Sequence, residues 1–146
     1  VKKWQGFIEN QFCKILAIIA TVVLCVVGVG EAHIGKDQSS LMDKRVMYIR
    51  EQPVADYEMK SYGTKTYGEA LDDYCTNEKW DSFTAESGEQ VVQFNGNAYY
   101  KGSEKEVIIQ FLITGDCESY ELSYFAFDGT ACNWYQVDAF FKTICD

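Results

Sequence analysis

From Gln90 to Asp128 three runs carry an apolar or aromatic residue at nearly every second position, and two turn-forming stretches separate them. Successive side chains of a strand point to opposite faces, so this pattern calls for an antiparallel meander with one buried face. The predicted strands are Gln90–Tyr100, Glu106–Thr114 and Ser119–Asp128, joined by the loops Lys101–Glu104 and Gly115–Glu118. In that register Val92 faces Ile113, Phe94 faces Phe111, Gly96 faces Ile109 and Ala98 faces Val107. Across the second loop Phe111 faces Leu122, Ile109 faces Tyr124 and Val107 faces Ala126. One face is then wholly apolar or aromatic, and a slip of one residue would destroy it.

Helical periodicity flanks the meander. Ser40 to Asp43 reads as a capping start, with Met42, Val46 and Ile49 on one face and Pro53 as the stop. Residues 54–65 read as a loop. Thr66 and Glu69 make a stronger capping box ahead of Ala70, Leu71 and Tyr74, so a second helix ends near Cys75 or Thr76. Trp80 and Phe83 are expected in irregular chain, as plugs at the edge of the core. Ala131 to Cys145 is amphipathic through Trp134, Val137, Phe141 and Ile144, and should lie across the apolar sheet face. The expected class is α+β, a three-stranded antiparallel sheet packed on one face by about three helices.

Ile15 to Gly30 contains no charged residue. As a helix it covers about 24 Å of a hydrocarbon core about 30 Å thick, and Phe12, Cys13 and the stem of Lys14 extend it. Lys2, Lys3 and Lys14 precede it, whereas Glu31 and Asp37 follow with Lys36 nearby. The positive-inside rule then keeps residues 1–14 in the cytoplasm, with residues 15–30 in the lipid bilayer. Residues 31–39 become a linker, and residues 40–146 an extracytoplasmic domain. Trp4, Phe7, Ile8 and Phe12 recur at helical spacing and suit the membrane interface. A cleaved signal peptide ending near Gly28 and Gly30 is the alternative, and it exports the same domain.

The net charge is −9, and the exported part is more acidic than the whole, because the leader carries three Lys against Glu9. Such a surface repels nucleic acid. Cys13 and Cys25 belong to the membrane region, leaving Cys75, Cys117, Cys132 and Cys145 in an oxidising compartment. Two disulfides or four free thiols both fit. A last helix running back along the third strand favours Cys117–Cys145 with Cys75–Cys132, because Cys117 and Cys132 lie at opposite ends of that strand. C-x-x-C spacing is missing and the single His is His33 in the linker, which removes the usual ligands of zinc and the usual base of Ser or Cys nucleophiles.

The succession TYGEALDDY (Thr66 to Tyr74), Trp80, VVQFNG (Val91 to Gly96) and IIQFLI (Ile108 to Ile113) resembles the extracytoplasmic domain of uncharacterised single-pass membrane proteins of Gram-positive anaerobic bacteria. Many of those carry a zinc ribbon before the membrane segment, whereas this chain has only Cys13 there. The resemblance spans roughly residues 42–145 and implies a bacterial, membrane-anchored domain with no assigned chemistry.

Paired carboxylates offer the one route to catalysis, a cell-envelope hydrolase using Asp72/Asp73 or Glu104/Glu106. Adjacent helix positions point apart, however, and Glu104 and Glu106 sit at a hairpin tip. The second sheet face is more informative. It is expected to carry Gln93, Asn95, Tyr99, Ile108, Gln110, Leu112, Ser123 and Phe125, with Asn95, Gln110 and Ser123 as a polar row. Apolar side chains around central amides suit contact with a protein, a peptide or an envelope glycan. The sequence therefore reads as a non-enzymatic binding module without cofactor or metal. A hydrolase and a structural subunit of a membrane assembly are the alternatives.

Overall fold

The computed structural model describes residues 44–56, 58 and 60–146. The expected membrane segment, the linker, His33, Cys13, Cys25 and the proposed cap at Ser40 lie outside them. Among the described residues no helix is long and apolar enough to cross a membrane.

The chain runs through α1 (44–50), β1 (Pro53–Ala55), β2 (Ser61–Thr66), α2 (Tyr67–Tyr74), β3 (Thr76–Thr84), β4 (Gln90–Tyr100), β5 (Ser103–Thr114), β6 (Ser119–Phe127), β7 (Thr130–Ala131) and α3 (Trp134–Cys145). β3 to β7 form one antiparallel sheet in sequence order, and β1 pairs with β2 in a separate ribbon. The expected three-stranded sheet is thus corrected to five strands plus a two-stranded ribbon. Two local causes hid the extra strands. In β3, Asn77 takes a left-handed φ of 55° and the register shifts between Thr76 and Lys79. Beyond it Ser82, a polar residue, fills a core position at 2 % exposure and masks the alternation with Trp80. β1 is only three residues long and opens on Pro53, a residue that strands admit at their first position.

The β4–β5 register departs from expectation by two residues. Val92 faces Phe111, Phe94 faces Ile109, Gly96 faces Val107 and Ala98 faces Lys105. The cause is the turn. Lys101 and Gly102 have φ of 50° and 84°, the mirror-image two-residue turn that matches strand twist, so Ser103 and Glu104 join the strand. A shift of two keeps every side chain on its face. In β5–β6, the loop Gly115–Glu118 and the Phe111–Leu122 pair stand as expected, but Ser123 is then skipped and Gln110 faces Tyr124. Past this bulge the register moves by one, so Phe125 and Phe127 turn to the helix side while Tyr124 and Ala126 turn away.

Both well-defined helices are capped reciprocally. Thr66 N–H donates to Glu69 Oε2 at 2.9 Å and Glu69 N–H to Thr66 Oγ1 at 3.3 Å, opening α2 as expected. In α3, Asn133 N–H donates to Gln136 Oε1 at 2.9 Å and Gln136 N–H to Asn133 Oδ1 at 3.1 Å. α3 therefore starts later than Ala131, because Asp128–Gly129 forms a second mirror-image turn and Thr130–Ala131 pairs with β6. The helices bury Ile49, Leu71, Val137, Phe140 and Phe141 against Phe94, Ile109, Phe111 and Phe125. Rings meet edge to face there: Tyr67 on Phe111 at 4.9 Å, Phe125 on Phe140 at 5.2 Å. Each fully buried Phe contributes about 1.5–3 kcal/mol.

The four described cysteines are free thiols, in contrast to the expected pairs Cys117–Cys145 and Cys75–Cys132. Each sits in its own surroundings. Cys75 caps α2 beneath Gly96, Cys117 lies in the β5–β6 turn, Cys132 follows β7 and Cys145 ends α3 near Gly63 of β2. The additional ribbon β1–β2, absent from the expected layout, takes the space beside the end of α3.

Candidate interaction face

Because Val92, Phe94, Ile109 and Phe111 point into the helices, the odd residues of β4 and the even residues of β5 share the opposite face. Gln93 faces Gln110 on one side and Asp81 on the other. Gln110 Nε2 donates to Gln93 Oε1 at 2.7 Å, and Gln93 Nε2 donates to Asn95 Oδ1 at 3.2 Å. Gln110 is 3 % exposed, so this amide chain satisfies polar groups that burial would otherwise penalise. Asn95 faces Ile108, which is half-buried, and Leu112 faces Val91 and Glu121. Tyr99 faces Glu104, is 70 % exposed and donates its hydroxyl to the Gly102 carbonyl at 3.1 Å.

Two of the expected residues stand elsewhere. Ser123 is the bulge residue, its hydroxyl donating to the Gln110 carbonyl at 3.1 Å. Phe125 is core, 3 % exposed on the helix side. The polar row accordingly runs Asp81–Gln93–Gln110–Tyr124 instead of Asn95–Gln110–Ser123. Three contributors were missed because β3 was: Lys79 and Asp81, paired at 2.9 Å, and Phe83 opposite Val91. Lys-x-Asp-x-Phe beside Trp80 carries the alternation that could have revealed them. The bulge places Tyr124 and Ala126 on the open face, not on the apolar face expected for them. Burial at the sheet surface pushes the Tyr124 hydroxyl pKa up.

Three of the four candidate carboxylates are engaged structurally. Arg50 Nη1 and Nη2 donate to the two oxygens of Asp72 at 3.2 and 2.5 Å, while Asp73 sits 3.5 Å from Lys65 Nζ. Glu104 Oε1 accepts from Asn97 Nδ2 at 3.3 Å, and Glu106 is exposed on the same face. Among the described residues no cluster of three or more His, Cys, Asp and Glu could hold a metal ion. Compared with known proteins, the chain matches no family model, no curated protein and no solved structure.

Proposed function

We propose that this chain is a membrane-anchored extracytoplasmic binding module that works by contact instead of catalysis. One observation carries the reading. The sheet has its helices on one face, while the other combines half-buried Ile108 and Leu112 with amides already hydrogen-bonded among themselves. Amides that already bond one another lose less when a partner excludes water than unpaired amides would. The apolar run Ile15–Gly30 and the lysines before it support the anchor and its orientation. The resemblance carried by Thr66–Tyr74 and the two strand motifs agrees with both. The partner is a protein, a peptide or an envelope glycan.

The test uses the full chain in membranes. Ile108→Lys should abolish capture of envelope material while leaving the melting temperature close to that of the parent. Capture that survives the substitution removes the sheet face from the function. Protease added to intact cells should digest residues beyond the linker, and protection of those residues would overturn the orientation.

A further inference from the structure

At the end of the sheet away from Lys44, a cleft of about 320 Å³ opens between the Lys101–Gly102 turn, the Asp128–Gly129 turn and the first turn of α3. Clefts that take small ligands begin at about 300 Å³. Its floor is Tyr100 and Phe127, rings stacked at 5.2 Å and 20°. The rim is Lys101, Lys105, Asp128, Thr130 and Gln136.

A count of hydrogen-bonding capacity at this rim is lopsided. Asp128 spends both oxygens inside the protein: Oδ2 accepts from Lys105 Nζ at 2.8 Å and Oδ1 from Glu106 N–H at 3.0 Å. Gln136 Oε1 accepts the Asn133 N–H of the cap. What remains is donors. The Lys101 ammonium lies 5.2 Å over the Tyr100 ring and is paired with no carboxylate among the described residues. The Thr130 hydroxyl and the Gln136 amide NH₂ likewise have no partner among them. Two lysines against one aspartate leave the rim positive, in a chain whose net charge is −9. The turn itself does not ask for a lysine. Lys101 has φ of 50°, a position that favours Asn or Gly.

We propose that this cleft binds a small oxyanion, a carboxylate or phosphate group carried on a hydroxyl-bearing body such as an acidic sugar or a polyol phosphate. The oxyanion sits on Lys101 Nζ with Thr130 and Gln136 donating, and the body covers the exposed margins of Tyr100 and Phe127. The cleft lies on the helix side of the sheet, so the inference stands apart from the open-face reading. Ile108→Lys tests that reading alone and should leave this site unchanged.

The full chain in neutral detergent is titrated with glucuronate, glycerol 3-phosphate and glucose, following the Gly102 amide by NMR. A shallow site with one free cation predicts saturation in the range of about 1–10 mM for an anion and none for glucose. Lys101→Asn suits the turn at least as well as lysine and should weaken anion binding about tenfold, some 1.4 kcal/mol. Lys79→Gln removes the same charge from β3 and should change nothing. Binding of glucuronate alone identifies a sugar acid, and binding of glycerol 3-phosphate alone a phosphate ligand. The inference is overturned if neither anion saturates by about 50 mM. Glucose binding as well as glucuronate, or Lys79→Gln weakening binding as much as Lys101→Asn, also overturns it.

Discussion

Phe125 lies directly across from Ile109 on the helix side of the sheet, with 3 % of its surface exposed. Its neighbours are Phe127, Phe140 and Phe141, at ring separations of 5.1, 5.2 and 5.8 Å. Phe125→Ala should therefore destabilise the fold by about 3–5 kcal/mol. Ile108→Ala, on the opposite face and only half-buried, should cost well under half as much. Urea denaturation of the two variants measures the difference, and equal losses would mean that both faces are core.

Gly96 has no room for a side chain. A Cβ there would stand 2.8 Å from Phe94 Cζ and 3.4 Å from Cys75 Cβ. Gly96→Ala should cost about 1–3 kcal/mol through displacement of a ring at 0 % exposure. A melting temperature equal to the parent's would show that Phe94 yields freely.

The two capping boxes should report separately. Thr66→Ala and Asn133→Ala each remove a side-chain acceptor from a helix N-terminus and should each lower stability by about 1 kcal/mol. Thr66→Ser, which keeps the acceptor, should recover most of the loss in the same denaturation assay.

Burial pushes the Cys75 thiol up to about 12, against an ordinary value of 9.0. Its folded pKa is the higher one, so the native state holds the proton longer and the advantage shrinks as pH rises from about 9 toward 12. Cys75→Ala should flatten that alkaline decline. Ellman's reagent should reach Cys75 only upon unfolding, and prompt labelling of the native thiol would contradict its burial.

Acid acts through Asp138. The Tyr62 hydroxyl, donating at 2.7 Å, and then Lys142 hold this carboxyl below its usual range. The stabilisation is present above the ordinary Asp pKa and disappears as pH falls through the lowered one. Asp138→Asn should remove that part of the acid dependence in denaturation curves collected below about pH 5.

What could be read beforehand followed from how each signal is written in the chain. The alternation of Val92, Phe94, Ile109 and Phe111 fixed their face even though the turn was placed wrongly, because an error of two residues leaves the pleat in phase. The Thr66–Glu69 cap was equally legible, being a local reciprocal bond. The bulge at Ser123 was not, since an extra residue in one strand depends on the partner strand and leaves no mark in a single segment's alternation. That one residue moved Phe125 from the expected interaction face into the core. β3 was hidden by a polar core residue, Ser82, and β7 was missed although the Asp128–Gly129 turn closing β6–β7 was there to be seen. The open-face positions on β4 and β5 were thus foreseeable, whereas Lys79 and Asp81 stand in a Lys-x-Asp-x-Phe alternation that Ser82 and the kink at Asn77 obscure.

Lys44, the first residue described, reaches Asp116 in the β5–β6 turn with Nζ–Oδ2 of 2.9 Å. The Lys101–Gly102 turn closes the other end of β5, a strand whose span at about 3.4 Å per residue is close to 40 Å. The domain is consequently polarised end to end, with the Lys44–Asp116 ion pair at one pole and the lysine-rimmed hollow at the other. Substitutions at the two ends should then act independently, their effects on stability adding.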